Sequence, residues 1–384
     1  GLDRAGVEVI RGEARFAGPR ALEVSGDGSA LTLSADLIFI NTGLRPAIPP
    51  LPGLRDVPYL TSTSIMQLRE LPGHLVVLGG GYVGLEFAQM FRRFGSRVTV
   101  LQYGPQLLPR EDGDVAAEVA RILAQDGINV VLDTEATAVR ATDGEIILSY
   151  QASGGASPMT LRGSHLLVAT GRVPNTDDLN FGAASVETDR RGFVKVNQRL
   201  ETTAPGVYAL GDVTGGPAFT HISYDDFRIL RTNLLHGGSA TTAGRLVPYT
   251  VFIDPQLGRI GMTEREATAA GRTVRVAKLP MSHVARALEV DETRGFMKAV
   301  VDADSGRILG AAVLGIEGGE IATLFQIAMM GGLPYGALRD GVFSHPTLAE
   351  SLNSVFMAMD PESSADTKEI AARGGASLAE EGRR

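Results

Sequence analysis

The residues Leu75-Val76-Val77-Leu78-Gly79-Gly80-Gly81-Tyr82-Val83-Gly84-Leu85-Glu86 place an apolar strand, a glycine-rich turn and the start of an amphipathic helix in direct succession. Gly79 permits the tight turn, and Gly81 lets a ligand approach the backbone. Gly84 lets the helix pack close to the strand. The helix, expected from about Tyr82 to Arg93, starts with N–H groups and a positive dipole end facing the turn. After Phe94-Gly95-Ser96 a second strand follows at Arg97-Val98-Thr99-Val100-Leu101. A lone G-x-G-x-x-G is a weak signal. With a strand before it and a helix after it, the pattern predicts a βαβ unit that holds a dinucleotide pyrophosphate. The plain alternative is an ordinary βα turn of some α/β protein.

A chain of 384 residues implies two or three domains, and 44% apolar content supports real cores. The net charge of −8, with no Lys/Arg block along any expected helix, argues against a nucleic-acid surface. No apolar stretch approaches the roughly 20 residues of a membrane span, so a soluble, cytoplasmic protein is expected. The sequence has no cysteine, which excludes disulfides, thiolate metal sites and thiol chemistry within this chain. His74, His165, His221, His236 and His283 show no metal-ligand spacing, and no metal site is expected. The chain opens at Gly1 in polar coil, with neither Met nor signal peptide, and reads as the remainder of something longer.

Short strands are expected at Val7–Ile10, Ala14–Phe16, Ala21–Val24 and Leu31–Leu33, forming a β-meander. A buried strand Leu37-Ile38-Phe39-Ile40 runs into Asn41-Thr42-Gly43, and a proline-rich connector follows. Asp114–Gln125 reads as an amphipathic helix, Ile128–Leu132 as a buried strand, and Thr137–Arg140 with Glu145–Tyr150 as an antiparallel pair. Leu166-Leu167-Val168-Ala169-Thr170-Gly171-Arg172 echoes the earlier strand and its Thr-Gly turn, as two related nucleotide-binding units would. Thr203–Asp212 reads as a strand closed by a Gly-Asp turn, with a helix from about Tyr224 to Leu235 after it. From about Val247, strands near Thr250–Phe252, Val274–Ala277, Gly295–Val301 and Ile308–Gly315 alternate with helices near Glu264–Ala270 and Glu320–Met330, as in a separate α+β domain. Pro361–Arg384 reads as a frayed tail.

Taken in order, Thr42-Gly43, Gly79–Glu86, Ala169-Thr170-Gly171-Arg172-Val173-Pro174-Asn175, Val207-Tyr208-Ala209-Leu210-Gly211-Asp212, Val251-Phe252-Ile253-Asp254-Pro255, Gly261-Met262-Thr263-Glu264 and His345-Pro346-Thr347-Leu348-Ala349-Glu350 form a specific set. With them the chain resembles the pyridine nucleotide–disulfide oxidoreductase flavoproteins over about Gly1 to Asp360. Phe219–Arg228 and Glu350-Ser351-Leu352-Asn353 look closest to the mercuric-reductase-like and reactive-chlorine-resistance branch. The resemblance implies a Rossmann-like NAD(P)-binding domain (58–170) inserted in a partial FAD-binding domain (1–57 and 171–245). A C-terminal α+β dimerisation domain (246–360) and a tail (361–384) follow. It also implies a homodimer that uses FAD and NAD(P)H.

Particular residues inherit expectations from that resemblance. Gly79, Gly81 and Gly84 would hold the coenzyme. Thr42, Gly43, Gly171, Arg172 and Gly211 would contact cofactor, and Asp212 would accept hydrogen bonds from the ribityl chain of FAD or adjacent groups. The N–H groups near Thr220 and His221 would face the flavin pyrimidine ring and stabilise negative charge there. Tyr82 would lie over the flavin and swing aside for nicotinamide. Glu86, one turn on, shares its helix face and would lie by the nicotinamide. The family pairs this glutamate with a lysine whose segment is not in this sequence. His345 would move a proton to and from a thiol, and Glu350 would orient it. Read without the family, Asp212 is a turn aspartate, Tyr82 a packing residue and His345 a capping or core histidine.

The family's first glycine loop and Cys-x4-Cys pair are not in this sequence, so an N-terminally incomplete chain is expected. Coenzyme choice stays open. Gln102 occupies the position that is acidic in NAD enzymes, and it bonds a ribose without repelling a phosphate. The leading expectation is hydride transfer from nicotinamide through flavin to a redox disulfide. A metal ion (mercuric or cupric) or a small disulfide is the final acceptor. Two other readings are a flavin oxidase or diaphorase without a dithiol, and a non-catalytic nucleotide-binding and dimerisation module. A flavin-free dehydrogenase has little support, because no substrate acid/base pair is evident near the glycine loop.

Overall fold

A computed structural model describes residues 1–26, 28–155 and 157–359. The tail expected at Pro361–Arg384 lies outside them. The chain divides into two compact units: Gly1–Ala47 with Gly171–Val247, and Ile48–Thr170 with the residues from Pro248 on.

In the first unit, Glu13–Gly18, Ala21–Gly26 and Ser29–Ser34 form an antiparallel meander. Strand Ile38–Ile40 pairs in parallel with Val207–Ala209, and Leu44–Pro46 pairs antiparallel with Arg172–Pro174. Phe16, Ile38, Ile40, Val194, Val207 and Ala209 share one core. Helix Thr220–Leu235 packs Ile229 and Leu230 against Leu200 and Leu210.

Three expectations need correction here. Val7–Ile10 forms no strand; its residues are exposed and have no ladder partner, so apolar character alone does not extend the meander. The Leu166–Arg172 run divides into His165–Val168 and Arg172–Pro174, because the chain turns at Gly171, whose φ is +129°. Within Thr203–Asp212 only Val207–Ala209 is strand. Positive φ at Gly206 and Gly211 bounds it, and Gly211–Thr214 coils into a 3₁₀ turn.

In the second unit a fully parallel sheet has the spatial order Tyr59–Leu60, His165–Val168, His74–Leu78, Arg97–Leu101, Asn129–Val131. Its central strands carry apolar residues on both faces, as burial on both sides demands. Helix Tyr82–Phe94 buries Leu85, Ala88 and Phe91, and Gly95 closes it in the left-handed region. Helix Gly113–Gln125 buries Val115, Val119 and Ile122. The expected hairpin is longer than its apolar pattern, Thr134–Thr142 against Glu145–Ala152, and Met159–Gly163 adds a third strand.

The C-terminal part is an antiparallel sheet ordered Tyr249–Val251, Gln256–Gly261, Ile308–Gly315, Phe296–Asp302, Val274–Pro280. Gln256–Gly261 has no strand signature. Its Gly258 exists for close packing: a Cβ there would sit 2.1 Å from the carbonyl oxygen of Gly318, at the start of helix Gly318–Met330. Val251, Ile253, Leu257, Phe296 and Leu314 share a core with Leu85, Phe91, Val119 and Ile122.

Candidate functional site

The glycine turn in the second unit is bounded by tight contacts at two positions and by open space at the third. Gly79 has φ +113°, and a Cβ on it would lie 2.5 Å from the Ala169 carbonyl oxygen. A Cβ on Gly84 would lie 2.2 Å from the Gly79 carbonyl oxygen, so helix and turn meet as backbone on backbone. A Cβ on Gly81 would meet nothing within 4 Å. Gly81 is the N-cap of helix Tyr82–Phe94, and no side chain caps that helix. The arrangement is an open cradle at a helix N-terminus, and it fits a pyrophosphate.

Gln102, at the end of the neighbouring strand, is tied to this turn. Its Oε1 accepts the Gly80 N–H at 2.9 Å. An N–H donor requires the oxygen, so the orientation of the amide is fixed, and both Nε2 donors, with the oxygen's second lone pair, remain for a ligand.

Tyr82 is exposed at the first position of the helix. Glu86 is half-buried, and its Oε1 accepts the Phe252 N–H at 2.7 Å. Burial raises its pKa, and the Phe252 N–H partly offsets that. The partner of Glu86 among the described residues is thus a backbone amide of the C-terminal sheet segment.

His345 and Glu350 are brought together in this unit. The His345 Nδ1 lies 3.0 Å and 2.9 Å from the two Glu350 carboxylate oxygens. The imidazole is exposed, with 71% of its side chain accessible, whereas Glu350 is half-buried. The Thr347 hydroxyl donates to the Ser344 carbonyl and accepts the Glu350 N–H, which fixes the turn between the pair. Asn353, in helix Ser351–Met357, donates to the carbonyls of Leu338 (2.8 Å), Arg339 (3.0 Å) and Gly341 (2.8 Å). It anchors the segment that leads into His345. Nothing in the sequence pattern assigns Asn353 that task, since an asparagine within a short helix has no periodic signature.

The first unit holds the remaining candidates. Thr42 and Asn175 exchange bonds: the Thr42 hydroxyl donates to the Asn175 carbonyl at 2.9 Å, and Asn175 Nδ2 donates to the Thr42 carbonyl at 2.8 Å. Asn175 N–H also reaches the Gly43 carbonyl. Arg172 donates to the Leu44 carbonyl, and Gly171 accepts the Ala47 N–H. The two Thr-Gly turns are therefore joined through their flanking strands.

Gly211 has φ +70°, and its N–H donates to Asp226 Oδ2 at 2.9 Å. Asp226 is 1% exposed and pairs through Oδ1 with Arg245 at 2.6 Å. This pair fixes the Gly-Asp turn from below. Sequence reading missed it because the two residues are far apart along the chain.

Asp212 is half-buried, and its carboxylate accepts no hydrogen bond from the described residues. Burial raises its pKa and the Arg172 charge partly offsets this. A half-buried acceptor with its lone pairs open fits a polyhydroxyl ligand. Helix Thr220–Leu235 starts near Thr220 and His221 without a side-chain cap, and the His221 ring stacks on Phe219.

Among the described residues no helix is long and apolar enough to cross a membrane. No group of three or more His, Cys, Asp or Glu among them could hold a metal ion.

Comparison with known proteins identifies the family and fold. Residues 2–226 match the pyridine nucleotide-disulphide oxidoreductase family, and residues 247–356 match its dimerisation domain. The probable pyridine nucleotide-disulfide oxidoreductase RclA of Escherichia coli (strain K12) is 41% identical over 356 residues, spanning 92% of this chain and 79% of that protein. A mercuric reductase of Bacillus cereus is 34% identical over 362 residues, spanning 94% of this chain but only 56% of that protein. A solved structure described as the Cu(II) complex of HOCl-induced flavoprotein disulfide reductase RclA from Escherichia coli superposes with a TM-score of 0.87. That match has 41% identity and covers 92% of this chain and 80% of the other. The fold is accordingly α/β, with FAD-binding and Rossmann-like NAD(P)-binding domains and a C-terminal dimerisation domain. The chain belongs to the pyridine nucleotide-disulfide oxidoreductase family of FAD-containing, NAD(P)H-dependent enzymes.

Proposed function

We propose that this chain forms part of a homodimeric, cytoplasmic NAD(P)H-dependent reductase. A redox disulfide would receive the electrons and pass them to a metal ion, cupric or mercuric, or to a small disulfide. The observation that carries this reading is the His345–Glu350 pair, an exposed imidazole whose Nδ1 is held by a carboxylate. The Cu(II) complex of the Escherichia coli relative supports a metal ion as acceptor. FAD, when bound, supplies the two-electron relay between coenzyme and disulfide.

The protein's own residues bind, orient and move protons. Residues 58–170 hold the coenzyme: Gly79, Gly81 and Gly84 admit its pyrophosphate, and Gln102 donates to its ribose end. Tyr82 would swing aside when nicotinamide enters, and Glu86 would lie by the nicotinamide. Residues 1–57 and 171–245 hold the flavin through Thr42, Gly43, Gly171, Arg172, Gly211 and Asp212. The first-turn N–H groups at Thr220 and His221 favour negative charge beside them.

In residues 246–360, Glu350 keeps the Nδ1 proton of His345 in place. The Nε2 lone pair is then available to take a proton from a thiol and return it. Because the sequence has no cysteine, that thiol comes from residues outside this sequence or from the substrate.

A second reading, a nucleotide-binding and dimerisation module without turnover, rests on the open glycine cradle at Gly81 and the match to the dimerisation domain. One experiment separates the two. The purified chain is incubated with FAD and desalted, and its visible spectrum is recorded before and after anaerobic NADH or NADPH. A retained flavin band that bleaches supports the reductase, and the faster donor identifies the coenzyme. Coenzyme binding by calorimetry without retained flavin supports the module.

A further inference from the structure

Helix Tyr82–Phe94 presents Glu86, Gln89 and Arg93 on one face, at spacings of three and four residues. All three meet the segment Phe252–Asp254, which follows the edge strand Tyr249–Val251 and bends at Ile253 and Asp254. Glu86 accepts the Phe252 N–H at 2.7 Å. One turn on, Gln89 Oε1 accepts the Asp254 N–H at 2.7 Å, and its Nε2 donates to the carbonyl of that same residue at 2.8 Å. The Gln89 Nε2 also donates to Asp126 Oδ2 at 2.6 Å. A further turn on, Arg93 pairs with the Asp254 carboxylate.

Gln89 is 3% exposed, and both ends of its amide are used. Its two bonds to Asp254 reproduce the exchange that an antiparallel neighbour makes with one residue. The Gln89 amide thus satisfies both backbone groups of Asp254 where the strand has ended. The Phe252 side chain is 71% exposed, so its packing does little to hold its own backbone. The Phe252 N–H is held opposite Glu86 from both sides: by Val251, paired with Leu257 in the sheet, and by Ile253, buried in the core, with the Gln89–Asp254 pairing two residues along as the polar restraint on this segment.

We infer that Gln89 is a positioning residue of the coenzyme site: by clamping the Asp254 backbone it holds the Phe252 N–H against Glu86 and so sets the orientation of that carboxylate. The inference rests on the reading of Glu86 as the residue that faces the nicotinamide.

A double-mutant cycle tests it. NADH and NADPH are titrated by calorimetry into the unaltered chain, Gln89→Leu, Glu86→Gln and the double variant. Gln89→Leu weakens binding of the better coenzyme about three- to tenfold, and the factor falls to about one in the Glu86→Gln background, because the group through which Gln89 acts is already altered. A merely structural role for Gln89 gives the same factor in both backgrounds and overturns the inference.

If Glu86→Gln alone leaves both affinities unchanged, the coenzyme-facing reading of Glu86 fails instead. Hydrogen exchange supplies a second readout: both the Asp254 and Phe252 amides exchange faster in Gln89→Leu, and an unaffected Phe252 amide overturns the clamp. Should Gln89→Leu not fold, Gln89→Glu takes its place in the cycle. It keeps an acceptor for the Asp254 N–H but sets a carboxylate against the Asp254 carbonyl and Asp126.

Discussion

Nδ1 of His345 sits 2.9 Å and 3.0 Å from the two oxygens of Glu350. A carboxylate accepts and does not donate, so this contact assigns the proton of a neutral imidazole to Nδ1 and the lone pair to Nε2. Glu350→Gln weakens that assignment, because an amide offers a donor as well as an acceptor. The expected outcome is a mixed tautomer population in ¹⁵N-correlated NMR spectra of the imidazole, against a single Nδ1–H form in the unaltered chain. The His345 side chain is largely exposed, so the change in unfolding free energy stays within about 1 kcal/mol. An unchanged tautomer would remove Glu350 from its orienting role.

Asn353 carries a structural prediction for the same region. One side-chain amide serves three carbonyls, those of Leu338, Arg339 and Gly341. Asn353→Ala leaves half-buried acceptors unpaired, at a cost of about 1–3 kcal/mol in urea unfolding. Backbone amides from Leu338 to His345 should exchange faster, while those of the parallel sheet should not. Uniform loss of protection across the second unit would mean that Asn353 supports the whole unit and not this segment.

The parts of this fold legible in the sequence are those written in local pattern. The run from Leu75 to Leu101 gave strand, turn, helix and strand because burial on both faces of a strand and on one face of a helix leaves distinct periodicities. The pairing of His345 with Glu350 followed from family resemblance; without it the histidine read as a capping or core residue. Gln256–Gly261 stayed hidden because Gly258 answers to a close backbone approach and Arg259 to a buried ion pair with Glu111, neither of which shows as apolar alternation. Asp226, Arg245, Asn353 and Gln89 stayed hidden for a related reason: a polar side chain that binds backbone far along the chain leaves no spacing to read. Val7–Ile10 shows the converse, an apolar run with no partner to make it a strand.

Lys298 predicts how stability responds to acid. It is 3% exposed and contacts Asp112 at 3.1 Å, Asp114 at 3.0 Å and Glu264 at 2.7 Å. Burial pushes the Asp112 carboxyl up. The N–H groups of Arg265 and Glu264, together with Lys298, more than reverse this, and its pKa lies below the ordinary value. Asp114 is lowered in the same way, with Lys278 and Lys298 outweighing burial. A carboxylate with a lowered folded-state pKa adds stability above its unfolded pKa, about 3.8–3.9, and that stability is lost as pH falls through the folded value. Lys298→Met strips the charge that faces three carboxylates and should cost about 3 kcal/mol at pH 7, toward the low end for a broken buried pair because Glu264 is partly solvated. Its carboxylates then take up protons more readily, so the gap in melting temperature to the unaltered chain narrows from pH 7 toward pH 4. A gap that is constant or widens would show that packing of the lysine stem, and not its charge, is what the site needs.

Gln102 bears on coenzyme choice. Its oxygen accepts the Gly80 N–H at 2.9 Å, which fixes the amide and leaves both Nε2 donors for a bound ribose. Donors serve a 2′-phosphate as well as a 2′-hydroxyl, so the unaltered chain should bind NADH and NADPH with similar affinity. Gln102→Glu keeps an oxygen for Gly80 and offers a second one, now charged, to the ribose hydroxyls. That oxygen accepts from NADH and repels the phosphate of NADPH. The ratio of the NADPH to the NADH dissociation constant should rise at least about tenfold, equivalent to about 1.4 kcal/mol of discrimination. Calorimetric titration of both coenzymes measures that ratio directly. If both affinities fall together, the carboxylate has disturbed the glycine turn through Gly80. If neither moves, the ribose does not lie at Gln102, and the second strand does not carry the selectivity of this fold.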